Sequence, residues 1–112
     1  MNSPMSVPKN LQADELAQQM QAGRIVLIDV REPAEFLAER IPGAMLCPLS
    51  SFDTKAIPSD GERMVVFHCA GGKRSLDAAM RCLAAGRVAT THLEGGIAAW
   101  KAAGLPVIGP GS

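Results

Sequence analysis

The sequence predicts an α/β layer fold with a mainly parallel sheet, and two observations carry that prediction. Apolar, β-branched runs alternate with amphipathic stretches along the chain, the order that a sheet with helical crossovers requires. Two of the runs, IVLID at 25–29 and MVVFHC at 64–69, are apolar at consecutive positions, as in strands covered on both faces. With 112 residues the chain can bury one core and not two. A single domain is therefore expected over 10–108, with loose segments at 1–9 and 109–112.

The elements follow in order. LQADELAQQMQAG places Ala13, Leu16, Ala17 and Met20 on one helical face, with Gly23 as the stop. The strand at 25–29 comes next. Pro33 suits the first turn of a short helix that carries Glu35, Phe36 and Leu37. IPGAMLCPL offers a turn at Pro42-Gly43 and a brief strand over 44–47. The second apolar run, 64–69, ends on Cys69. Leu76, Ala79, Met80, Leu83 and Ala84 then recur at helical spacing up to Gly86. RVATTHL at 87–93 is another strand, and GIAAWKAAG at 96–104 is a short helix packing Ile97 and Trp100, closed by Gly104 and Pro106.

Composition narrows the function. Eleven basic residues balance eleven acidic ones, so no long-range field favours nucleic acid or an anionic membrane. Any preference for an anion must come from a local site. The three cysteines, Cys47, Cys69 and Cys82, form no CxxC, and neither histidine stands at zinc-finger spacing from them. No metal and no cofactor is expected. Free thiols suit a reducing compartment, the amino terminus lacks the pattern of a signal peptide, and a cytoplasmic monomer is the default expectation.

The chemistry concentrates in CAGGKRS, residues 69–75. In α/β sheets ligand sites lie beyond the carboxyl ends of strands, and Cys69 stands at such an end. A cysteine attacks only as the thiolate, and its ordinary pKa of about 8.5 leaves it protonated at neutral pH. Gly71 and Gly72 permit left-handed backbone, so that successive N–H groups can turn around one anion. The helix that follows points its positive end at the same place, and Lys73 and Arg74 add full charges. Such a cradle lowers the thiol pKa, and it would equally hold an anionic substrate or the outer sulfur of a persulfide.

These residues resemble the rhodanese family, in particular its single-domain sulfurtransferases. LIDVREPAEFLAERIPGAMLCPL (27–49) is similar to the family's amino-terminal signature, LEGGIAAWKAAGLPV (93–107) to its carboxyl-terminal one, and CAGGKRS to its active loop. The resemblance implies a central five-stranded sheet flanked by helices. It implies a persulfide on Cys69 and transfer of sulfur from an anionic donor such as thiosulfate to a thiophilic acceptor, with a sulfur-relay protein as a further partner. Ala70, Gly71, Gly72, Lys73, Arg74 and Ser75 would bind the donor. Asp29, Arg31 and Glu35 would be supporting polar residues. Glu39-Arg40 stands where the family commonly has a Gly-His pair.

Two other functions compete. A phosphatase or arsenate reductase on this fold places five residues between cysteine and arginine, whereas Ala70 to Lys73 make four, a loop better suited to one sulfur atom than to a tetrahedral oxyanion. An inactive binding module typically lacks the cysteine, which this chain keeps. Among the remaining residues, His68 is expected to point away from its neighbour Cys69, and Glu35 to pair with Arg74. Asp29 and Arg31 read equally as an ion pair or as substrate contacts. His92 reads as an ordinary strand residue, Cys47 as core, and Cys82 as lying on the flank of its helix.

Overall fold

A computed structural model describes residues 7–58, 61–87 and 91–110. Its described part contains five strands and four α-helices, besides two short 3-10 helices (Leu49–Ser51 and Thr54–Ala56): β1 (Lys9–Leu11), α1 (Ala13–Gln21), β2 (Ile25–Asp29), α2 (Pro33–Ala38), β3 (Met45–Leu46), β4 (Met64–His68), α3 (Lys73–Ala84), β5 (Thr91–Leu93) and α4 (Gly96–Ala102). All strand pairings are parallel, in the order β1-β5-β4-β2-β3. The chain reverses its winding direction between β2 and β4, and in such sheets ligands bind at that switch point. β4 is central, and Cys69 follows its last residue.

The two apolar runs take the places their composition predicts. Along β4, side chains alternate between two cores because successive residues point to opposite faces. Val65 and Phe67, with Cys69 beyond them, join Ile28, Val30, Ala78, Ala79 and Cys82 on one face. Val66 joins Leu16, Leu27, Leu93, Ile97 and Trp100 on the other. Phe52 meets Phe67 edge to face, with ring centroids 5.7 Å apart.

Several expectations require correction. The sequence reading placed no strand before α1, yet Lys9, Asn10 and Leu11 pair with Thr91, His92 and Leu93; three residues without an apolar pattern give no strand signal of their own. At the carboxyl-terminal limit of the expected domain, Arg40 and Ile108 exchange two backbone hydrogen bonds of 2.8 Å.

The inner face of α3 is also not the expected one. Ser75, Ala78, Ala79 and Cys82 are buried, while Leu76 and Met80 are exposed. Small residues face the sheet because α3 packs closely on it, and size at the contact overrides hydrophobicity. Cys82 thus lies in the core and not on the flank. Cys47 is only half-buried against the same core. Of the strand expected over 87–93, residues 88–90 lie outside the described residues, as do 1–6, 111 and 112.

Candidate active site

Cys69 is 1% exposed, and its sulfur is surrounded by donors from the loop that follows. The N–H of Gly72 donates to Sγ at 3.1 Å and that of Ser75 at 3.3 Å. The Ser75 hydroxyl lies 3.6 Å away. Burial pushes the thiol pKa up, but the Ser75 hydroxyl and the N–H groups of Ser75, Gly72 and Gly71 outweigh it, and the net shift is downward. Hydrogen bonds to the charged form, rather than the nearby cations, lead the lowering.

The loop reaches this shape through glycine at one position only. Gly72 has φ of 111° and caps α3, and an added Cβ would meet the Gly95 nitrogen at 3.3 Å. Gly71 has no positive φ, so the expected left-handed role falls to Gly72 alone. Gly71 contributes its N–H.

A second glycine pair clamps the loop from below. Gly95 and Gly96, at φ of 78° and 61°, turn the chain into α4 so that Ile97 N–H donates to the Cys69 carbonyl at 2.8 Å and Ala98 N–H to the Ala70 carbonyl at 3.2 Å. A Cβ on Gly96 would stand 2.4 Å from the Cys69 oxygen. The sequence reading did not give these glycines a role; their adjacency in LEGG was the available signal.

The supporting residues form two ion pairs. Asp29 and Arg31, both buried, are joined at 2.7–3.1 Å, and Arg31 also donates to the Glu39 carbonyl at 2.7 Å. The pair therefore locks the exit of β2 to the chain beyond α2, which is the ion-pair reading of these two residues. Glu35 receives both Arg74 nitrogens at 2.8 and 2.9 Å and the Glu32 N–H at 2.9 Å. The Arg74 guanidinium is the main reason that the Glu35 carboxyl is held at about 2. It stays ionised above that pH and tethers the start of α2 to the start of α3. The Lys73 ammonium is exposed and has no partner among the described residues.

The histidines differ from one another. His68 points away from Cys69, as expected, toward its register partner Asp29, with Nε2 3.4 Å from Oδ2. His92 is no ordinary strand residue: its Nδ1 lies 3.0 Å from Ser75 Oγ and its Nε2 2.8 Å from Asn10 Oδ1. It was missed because the contact joins β5 to α3 and β1, and no local spacing encodes it. Ala70, Gly71, Gly72, Lys73, Arg74 and Ser75 all line the loop, but among the described contacts only the three N–H groups and the hydroxyl named above reach the sulfur.

The lowered pKa has a direct consequence. Alkylation of Cys69 should rise with pH through an inflection below the usual value of about 8.5. The denatured chain should return to that value, so the two should differ most at about pH 6–7. Site-resolved iodoacetamide labelling measures this, and coincident inflections would refute the role of the cradle.

Fold and site together define a parallel α/β domain with a cysteine anion cradle at its switch point. The chain belongs to the rhodanese family: the family model described as a rhodanese-like domain matches residues 12–103. An uncharacterised protein of Synechocystis is 40% identical over 90% of this chain and 54% of its own length. This chain therefore spans about half of that relative. A sulfurtransferase of Allochromatium vinosum is 34% identical over 77% of this chain and 80% of the relative. Among solved structures, a thiosulfate sulfurtransferase from Pseudomonas aeruginosa superposes with a TM-score of 0.81 at 26% identity, over 91% of this chain and 20% of that one. A protein of Rhodopseudomonas palustris described as a possible tyrosine phosphatase reaches 0.77 at 25% identity, over 96% of this chain and all of that one. The five-stranded parallel sheet with flanking helices is thus that of rhodanese-like domains. None of the helices among the described residues is long and apolar enough to cross a membrane.

Proposed function

We propose that this protein is a sulfurtransferase that carries a sulfane sulfur on Cys69. The Cys69 thiolate attacks the outer sulfur of thiosulfate or a related anionic persulfide donor. The donor's sulfur–sulfur bond breaks, and sulfite, in the thiosulfate case, leaves with the electron pair. The product is a persulfide whose charge rests on the outer sulfur. A thiophilic acceptor, whether cyanide, a thiol or a protein in a sulfur relay, then attacks that sulfur, and Cys69 departs as the thiolate. Once Cys69 is ionised, neither transfer needs a further proton loss from it, and no oxidant or cofactor enters.

The observation that carries this reading is the convergence of the Gly72 and Ser75 N–H groups on Sγ at 3.1 and 3.3 Å. Such donors stabilise an anionic sulfur and are already in place before reaction. Lys73 would attract the anionic donor. The names of the Allochromatium and Pseudomonas relatives point the same way.

The phosphatase reading has a relative in its favour, but the arginine speaks against it. A phosphoryl group needs the loop guanidinium turned onto its oxygens, and Arg74 is held bidentate by Glu35. Four residues rather than five separate it from the cysteine. Incubation with thiosulfate followed by intact mass measurement, beside cyanide and aryl-phosphate assays, tests the proposal. One added sulfur atom, removed by cyanide as thiocyanate, is expected. Phosphate release without any mass gain would overturn it.

A further inference from the structure

The Cys69 thiol and its hydroxyl neighbour have little direct contact with solvent, so the thiol proton needs an acceptor within the protein. Cys69 is 1% exposed and Ser75 fully buried. His68, adjacent in sequence, faces the other side of the sheet. Behind the sulfur, however, polar atoms follow one another in a row. Cys69 Sγ lies 3.6 Å from Ser75 Oγ, which lies 3.0 Å from His92 Nδ1, and His92 Nε2 lies 2.8 Å from Asn10 Oδ1. Parallel register supplies the last two members, since His92 pairs with Asn10 on β1 and with Phe67 on β4.

The donor inventory sets the direction. Asn10 Oδ1 only accepts, so Nε2 of His92 carries the ring proton and Nδ1 presents its lone pair to the Ser75 hydroxyl. The one Ser75 hydroxyl proton has two acceptors in reach, His92 Nδ1 at 3.0 Å and the Gly72 carbonyl at 3.2 Å; turned to the nearer, it leaves Oγ to accept from the Cys69 thiol at 3.6 Å. Burial lowers the proton affinity of His92, and Glu94 opposes that, so at neutral pH the ring is neutral and its Nδ1 lone pair is open. The groups against it are Asn10 from β1, Phe67 from β4 and Ser75 from α3. Charge reaches it from Glu94, held by Gln12 Nε2 at 2.9 Å.

We infer that Cys69, Ser75, His92 and Asn10 form a relay, buried from Cys69 to His92 and reaching the surface at Asn10, in which the Cys69 proton passes through the Ser75 hydroxyl to His92 Nδ1. One S–H and one O–H bond break, one O–H and one N–H bond form, and no electrons change hands. The product is a thiolate–imidazolium couple with Asn10 holding the far ring nitrogen. His92 is a positioning residue that acts on the sulfur through Ser75. The inference rests on Cys69 being the reactive sulfur of the proposed function.

Site-resolved alkylation of Cys69 against pH, on the full chain, tests it. His92→Gln keeps a side chain that can bond Ser75 but cannot take a proton. Its rate should fall about tenfold at about pH 6.5, with the plateau at about pH 10 unchanged. Asn10→Asp sets a carboxylate of equal size on the Nε2 proton and makes the ring more basic. It should raise the rate at about pH 6.5 about threefold. A loss of equal size at every pH in His92→Gln would mean mere packing and would overturn the relay, as would an unmoved profile in Asn10→Asp. If His92→Gln does not fold, Asn10→Asp decides alone. Alkylation needs no sulfur donor, so a chain that took no sulfur from thiosulfate would overturn the sulfurtransferase reading while these profiles still decided the relay.

Discussion

Cys69→Ser should abolish the thiosulfate-dependent mass gain and reduce turnover by at least about a thousandfold. The hydroxyl fits the space but neither ionises in this cradle nor carries a transferable sulfur. Cys47→Ala and Cys82→Ala should retain sulfur transfer. Burial pushes both of these thiols up, aided at Cys47 by the Asp53 carboxylate and opposed at Cys82 by Arg87, so neither is a nucleophile near neutral pH. Their costs differ in a way that the sequence reading had reversed. Cys82 is fully buried among Ala78, Ala79 and Phe67, and its truncation should cost about 1 kcal/mol. Cys47 is half-buried and should cost less. Intact mass and thermal melts on the three variants measure both effects. Sulfur transfer that survived Cys69→Ser would refute the assignment.

Gly96→Ala should be nearly as damaging to activity, although the residue touches no substrate. The new Cβ would sit 2.4 Å from the Cys69 oxygen and 2.6 Å from the Ala70 carbonyl, both backbone atoms that cannot swing aside. The residue also holds φ of 61°, a left-handed conformation that costs a non-glycine residue about 1–2 kcal/mol. Relief requires the loop to lift off α4, which breaks the bonds from Ile97 and Ala98 and moves the Gly72 and Ser75 donors off the sulfur. A total destabilisation of about 3 kcal/mol or more, with Cys69 alkylation reverting toward that of an ordinary thiol, is expected. Gly71→Ala is the control. It has an ordinary φ and open space for a Cβ, and should cost no more than about 0.5 kcal/mol. Comparable losses in the two variants would show that the clamp beneath the loop has no such role.

Much of the architecture was legible because it is written locally. IVLID and MVVFHC could hardly be anything but strands covered on both faces, and Pro33 and Gly23 mark helix ends by their own backbone restrictions. The cradle was equally readable, since a cysteine, two glycines and a helix start within seven residues must share one small volume. The Glu35–Arg74 pair was also expected from the sequence, and the two side chains meet at 2.8 and 2.9 Å. By contrast, β1 carries no apolar pattern and becomes a strand only because Thr91, His92 and Leu93 lie beside it to bond with.

Sequence by itself determined which sulfur is the candidate and what kind of backbone surrounds it, because those atoms are covalent neighbours. Tertiary structure alone decided which face of α3 turns inward, that Gly96 rather than Gly71 is the indispensable close contact, and that His92 stands behind Ser75. Each of these depends on separate segments meeting at a few ångströms. Asn10 and His92 are 82 positions apart, and Gly96 meets a carbonyl from 27 positions earlier. No pattern of hydrophobicity or spacing within one segment specifies such a meeting; it arises only when the parallel register and the docking of α3 and α4 on the sheet bring the segments together.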